Sequence, residues 1–308
     1  MKQKFTLFFA LVLLFASCKD NIAELQTTDL EEFASKFVLT ATIGNESRTS
    51  VTPGGDTYAA GEKSEWVAGD HVHVYFYNGA SLAGNLYFRA NSNGQTSTFT
   101  MLTGIPPTEF YTTVPSLPAF PASYRVVVAY RENNITDFDN QTQAGSTTTH
   151  VGKKDPMKAE APTVSINFMG EADLNVTFDH LASLLRFSVT NATGAEIAIK
   201  SIEVKSSDPS NEFYASANYS YTTHNFTPSN LKPSLRLSCS QNIAAGAKAE
   251  FYMTTPGNTV AATGANFLIT VGYDAASSKV FTVPMSTNDF LKVPFEGGKR
   301  YYFDLTID

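Results

Sequence analysis

At 308 residues, 43% of them hydrophobic and 17% charged, the chain is long enough to bury a substantial core and exceeds what one β-sandwich usually needs. One or two domains of roughly 100–150 residues are therefore expected. The formal charge of −7 excludes a basic surface that tracks phosphates, so no nucleic-acid partner is expected.

Lys2 and Lys4 open the chain, and an apolar run from Phe5 to Ala16 follows. At roughly a dozen residues this run is shorter than a membrane span and reads as a signal peptide over 1–17. It ends in Phe15-Ala16-Ser17-Cys18, small residues before a cysteine, which resembles the bacterial lipobox. Cys18 is then the lipidation site, and its acyl chains hold the protein to a membrane. Phe15 stands where that motif usually has leucine. The alternative is an ordinary signal peptide with a chance cysteine. Lys19-Asp20 resembles the charged signal that sends Bacteroidota-type lipoproteins to the outer face of the outer membrane; the alternative is a solvated tether. With Cys18 acylated, Cys239 has no disulfide partner. It shares a strand face with Leu235 and Leu237 and reads as a buried structural thiol.

Residues 18–36 read as a tether. Beyond it the chain is a succession of short period-2 stretches separated by polar turns. Phe37–Ile43 places Phe37, Leu39, Ala41 and Ile43 on one face. Strands are expected at His71–Tyr77, Leu86–Arg89, Thr96–Met101, Ser123–Tyr130 and Thr163–Phe168. Residues 104–121 carry several prolines and read as a surface excursion. Residues 133–156 are polar and read as loop. Leu174–Phe178 and Leu184–Val189 flank Asp179-His180-Leu181-Ala182-Ser183 and mark the passage between two halves. Later strands are expected at Ile197–Val204, Glu212–Ala215, Ser234–Cys239, Ala249–Met253 and Tyr301–Ile307, with a hairpin of Phe267–Tyr273 and Lys279–Val283. The expected fold is all-β, with β-sandwich domains over 37–170 and 171–308.

Candidate chemistry is sparse. His71 and His73 share a strand face, but two histidines without a third ligand do not define a metal site, and a solvated or barrel-edge pair is expected. His180 lacks an evident nucleophile and orienting acid, so it reads as a structural histidine bonded to a turn backbone. No phosphate loop, zinc motif or nucleophile elbow is present. Accordingly no catalytic residue, metal or cofactor is assigned, and no enzyme activity is expected. Arg48 lies in a polar loop just after the first strand, where a trypsin-like protease could cut. Removing Phe37–Ile43 there would open a groove of unpaired backbone able to accept a strand from another subunit. The alternative is an uncleaved surface arginine.

Taken together, Cys18, the first strand with Arg48-Thr49, Trp66-Val67-Ala68-Gly69-Asp70, Phe178-Asp179-His180-Leu181-Ala182, Phe251–Pro256 and Gly298–Leu305 resemble the fimbrillin-like family, the type V pilins and related lipoproteins. The resemblance spans nearly the whole mature chain. It implies two transthyretin-like β-sandwich domains, lipoprotein export, and assembly of surface fimbriae by strand donation after arginine-specific cleavage. Its implied partners are other fimbrial subunits, a host or bacterial surface receptor, and the membrane through the lipid. The chain ends almost at its closing strand, an expectation that favours an anchor, tip or accessory subunit; the closing segment could itself be the donor. The competing reading is a lipid-anchored glycan-binding protein of a polysaccharide-uptake system, with exposed tyrosines or Trp66 stacking on sugar rings. Cys18→Ser is expected to move the protein from the membrane to the soluble fraction on cell fractionation; a variant that stays with the membrane removes the lipid anchor.

Overall fold

The computed structural model describes residues 30–44, 65–107, 113–131, 138–209, 212–220, 225–256, 266–283, 295 and 297–308. The signal peptide, Cys18 and Arg48 lie outside the described residues. Among the described residues no helix is long and apolar enough to cross a membrane.

The chain is all-β, as its period-2 patterning predicts. In order, its first strands are β1 (Phe37–Ile43), β2 (His71–Asn78), β3 (Ser81–Ala90), β4 (Thr96–Leu102), β5 (Ala122–Tyr130), β6 (Asn140–Ala144), β7 (Met157–Ile166) and β8 (Ala172–His180). All of these except β6 form one hydrogen-bonded ring, in the order β1-β4-β3-β2-β5-β7-β8 with β8 returning to β1. Alternation fills the ring: Leu39, Ala41, Val72, Val74, Leu86, Leu174 and Phe178 point inward and are buried. At its centre Trp66 meets Phe99, Tyr130 and Phe178 edge-on, with centroids 5.1, 5.6 and 5.1 Å away. This is the favoured geometry for aromatic quadrupoles.

The remaining strands are β9 (Ala182–Asn191), β10 (Ile197–Ser206), β11 (Phe213–Ser220), β12 (Asn225–Lys232), β13 (Ser234–Ile243), β14 (Lys248–Pro256), β15 (Phe267–Tyr273), β16 (Ser277–Val283) and β17 (Arg300–Ile307). They make a five-stranded sheet, β16-β15-β10-β13-β6, a three-stranded sheet, β14-β9-β17, and the hairpin β11-β12. A second core forms from Leu185, Phe187, Ile202, Leu237, Phe251, Ile269, Phe303 and their neighbours. The Leu174–Thr190 marker is thus two consecutive strands. β8 belongs to the ring, β9 is the middle strand of the three-stranded sheet, and Leu181 is the link.

Several elements differ from the sequence expectation. Residues 133–156 are not simply loop: they contain β6 and a short helix, Thr149–Lys153. β6 reads Asn-Gln-Thr-Gln-Ala, with no large apolar residue, and its buried face is made of Gln141 and Gln143. Its backbone pairs in parallel with β13. Its glutamine amides then satisfy the free edge of β14. Gln141 accepts from Thr254 N at 2.9 Å and donates to Thr254 O at 2.6 Å. Gln143 accepts from Tyr252 N and donates to Glu250 O, both at 2.9 Å. The period-2 spacing of two side chains matches the period-2 spacing of outward-pointing backbone groups on β14. β12 also escapes the hydrophobic pattern. It contains Pro228 and pairs with β11, in a hairpin where a missing N–H is tolerated. The proline-rich excursion is no free surface loop either. Ser116 pairs with Asn85, and Gly84 lies so close beneath Pro118 that a Cβ there would sit 2.5 Å from its nitrogen.

Phe178 is fully buried against Trp66. Phe178→Ala is therefore expected to cost about 3–5 kcal/mol of stability, read as a shift of the urea unfolding midpoint. An unchanged midpoint would show that the ring interior is not a packed core.

Candidate assembly site at the first strand

β1 closes the ring. Seven consecutive residues, Phe37 to Ile43, pair in parallel with Ala172 to Phe178 of β8. Leu39 to Thr42 pair antiparallel with Phe99 to Thr96 of β4. The other ring pairs are antiparallel. Parallel pairing needs a long connection and is slightly weaker per residue. β1 compensates with its inward side chains: Phe37, Leu39, Ala41 and Ile43 are all buried in the ring core. Full burial of a Leu, Ile or Phe side chain is worth about 1.5–3 kcal/mol. The seat adds directed bonds. Trp66 Nε1 donates to Ala41 O at 3.0 Å, Ile43 N donates to Gln95 O at 2.8 Å, and Gln95 Nε2 returns a bond to Ile43 O at 3.2 Å.

The Trp66–Asp70 motif builds that seat. Asp70 Oδ2 accepts from Val67 N at 2.9 Å while Asp70 N donates to Val67 O at 2.9 Å, locking a tight turn. Gly69 takes the positive φ (+98°) that the turn requires. Trp66 is thereby pinned with its indole against β1. It is fully buried, so it cannot stack on a sugar, and the glycan-binding reading loses its only tryptophan.

The other sequence candidates are structural. His71 and His73 are not a solvated pair. His73 is buried, its Nε2 lies 2.9 Å from Asn85 Oδ1, and its ring stacks between Tyr75 and Tyr87 at 4.0 and 4.1 Å. The cause is the excursion, whose Thr113, Val114 and Ser116 bond Tyr87 and Asn85 and cover this face. Among the described residues no cluster of three or more His, Cys, Asp or Glu could hold a metal. Cys239 is buried, as its strand face predicts, and burial pushes its thiol up to about 12.

His180 corrects its expectation of a turn-backbone bond. Its Nδ1 lies 2.6 Å from Asp155 Oδ2, and the two side chains are 1% and 0% exposed. Asp155 follows the short helix and is too far away in sequence for spacing to suggest the pair. Buried completely, the pair faces no substrate. It fastens the end of β8 to the start of β7, where Leu181 N also donates to Pro156 O at 3.0 Å. His180→Ala strands a buried carboxylate and is expected to lower stability by about 3–5 kcal/mol in urea titration; an unchanged midpoint would mean the pair is idle.

These sheets match known structures. A candidate cell adhesion protein from Bacteroides uniformis aligns with TM-score 0.52 and 17% identity, covering 89% of this chain and 93% of that one. Another, from Bacteroides ovatus, aligns with TM-score 0.51 and 14% identity, covering 88% and 91%. At such identities the likeness is one of fold. No curated protein sequence matches the chain. The fimbrillin-like family model matches residues 57–308, a stretch that begins after β1 and Arg48. It takes in the Trp66–Asp70 turn, the β8–β9 passage, β14 and β17. The chain belongs to the fimbrillin-like family.

Proposed function

We propose that this protein is a subunit of a cell-surface fimbrium of the type V kind, supporting adhesion. The uncut chain is held to the outer membrane through lipid on Cys18, and a chain cut at Arg48 joins other subunits by exchange of a β-strand. The observation that carries the reading is the seat of β1. A single strand closes a ring between two partners, and the sequence that follows it contains Arg48. Cutting at Arg48 would free β1 and leave the facing edges of β4 and β8 with unpaired N–H and C=O groups above an apolar trough. That is an acceptor for an extended segment with alternate apolar residues.

The role is an anchor, tip or accessory one rather than that of a shaft subunit. In support, the closing strand β17 is already used in its own fold. It pairs with β9 from Arg300 to Ile307 and buries Tyr301, Phe303, Leu305 and Ile307. The buried state of His180 and His73 supports a binding protein rather than a catalyst.

The test is N-terminal sequencing of the protein recovered from fimbriae, beside an Arg48→Ala variant. The expected start is Thr49, with an SDS-resistant ladder that Arg48→Ala abolishes. Assembled protein starting at Cys18 would overturn the strand-exchange reading.

A further inference from the structure

The end of the ring where the chain enters carries an exposed apolar tip. β7 and β8 are joined by Asn167-Phe168-Met169-Gly170-Glu171. Phe168 is 83% exposed and Met169 59%. A loose loop could show such residues by accident, but this turn is tightly held. Asn167 Oδ1 accepts from Met169 N at 2.9 Å and Glu171 N at 3.0 Å, and Asn167 Nδ2 donates to Glu171 Oε2 at 2.8 Å. Gly170 N donates to Asn167 O at 3.0 Å. Behind the tip, Gly170 takes φ +76° and lies so close to Phe33 that a Cβ would sit 3.1 Å from the ring. Phe120, 41% exposed, extends the apolar surface beside Phe33, with ring centroids 5.9 Å apart. The phenylalanine and methionine are therefore presented on a preorganised support, which limits the entropy lost on binding.

We propose that this tip rests in the apolar boundary of the lipid surface that carries the protein, so that the ring stands on the membrane by its β7–β8 end. The proposal rests on the reading that Cys18 is acylated. Two observations select this occupant. First, the tether meets the ring at the same place. Residues 18–29 lead directly into the helical turn at 30–34, and Phe33 of that turn packs under Gly170. A fully extended stretch of that length spans at most about 40 Å, so an acylated Cys18 keeps this end of the ring near the bilayer. Second, the charge around the tip is acidic. Glu31, Glu32, Glu171 and Asp173 are exposed, and Lys36 is taken up by Glu32 at 2.6 Å. Two such rims would repel across a symmetric contact between copies. An acidic rim likewise gives no attraction to anionic lipid, so contact is made by apolar insertion and not by counter-charge. Diacyl anchoring already holds the protein down; the tip sets which way it stands.

The test is depth quenching on the full acylated chain in phosphatidylcholine vesicles with brominated acyl tails. The native chain supplies its own reference, since its one tryptophan, Trp66, is sealed inside the ring. Phe168→Trp adds a reporter at the tip, and Val280→Trp adds one on β16, where the native valine is 55% exposed. Brominated lipid is expected to quench the Phe168→Trp reporter by about half, with a blue-shifted emission unaffected by molar NaCl, and to leave Val280→Trp and Trp66 essentially unquenched. No quenching at position 168, equal quenching at 168 and 280, or a blue shift arising from dimers without lipid would each overturn the tip. Mass spectrometry of the same sample reads the acyl groups on Cys18 separately. If Cys18 is unmodified the anchor reading fails by itself. Quenching at 168 by added vesicles then supports the tip, and its absence overturns the tip as well.

Discussion

The closure of the ring by β1 is the constraint on which the rest depends. A strand that pairs on both sides leaves no free backbone edge, and edges are what draw strands into unwanted association. Here the closing strand is held both by its ladder and by what lies beneath it. Phe37, Leu39, Ala41 and Ile43 face a core whose centre is Trp66, and that indole is tied back to β1 by its single N–H on Ala41 O. The same tryptophan touches Phe178 on β8 and Phe99 on β4, the two strands that flank β1. The gap and its filler are therefore organised by one side chain. Without β1 the trough would keep its floor, because the Val67–Asp70 turn that positions Trp66 makes its bonds without β1.

From the ring, the chain passes to the sandwich for the last time at Leu181, and the packing there is close. Leu181 sits against Tyr77, Val127 and Ala129, on the outside of the ring. The backbone of Gly297 crosses so near Leu181 that a Cβ would lie 2.7 Å from its carbonyl oxygen. Gly298 N bonds Ala182 O at 2.9 Å and leads into β17. Short-range contacts of this kind, with the buried His180–Asp155 pair beside them, pack the passage closely on both sides. β6 adds a second tie, since its backbone joins one sheet of the sandwich and its glutamines join the other. The short helix after it places His150 Nε2 2.8 Å from Tyr252 O.

Many strands were legible in the sequence because they bury one face only, and β5, β9 and β14, buried on both, because they are apolar runs. β1, β4, β8 and β13 show clean alternation of buried and exposed residues, and their apolar residues fall at period 2. β6 was not legible, because its inward face is amide and a hydrophobic pattern has no term for a glutamine that replaces a strand. The burial of His73 was hidden for another reason: alternation assigns it to the outer face correctly, but that face is covered by the excursion near Ser116, a contact made across the fold. Asp155 as the partner of His180 is a long-range pairing of the same kind. Cys239, read as a buried thiol from its strand face, is buried because its local pattern and its tertiary surroundings agree. Of the candidate site, the strand itself was readable, while the trough beneath it needed β4 and β8 to be placed as its neighbours.

One consequence follows from the continuity of the segment that ends in β1. Cys18, the segment after it, Phe33 and β1 precede Arg48 without interruption. A cut at Arg48 would therefore do two things at once: it would open the ring, and it would separate the ring from its lipid. Phe33 would leave with β1, so the apolar tip would also lose the ring that packs behind Gly170. On the proposed reading, strand exchange and membrane retention would thus be alternatives for any one copy of the chain. A copy that keeps β1 would stay closed and anchored; a copy that loses it would become an acceptor and have to be held by its neighbours. On the proposed reading, a single peptide bond would decide which of the two states a copy adopts. An intramolecular β1 competes at the high effective concentration that its covalent connection to β2 imposes, which an incoming strand from another chain would have to exceed.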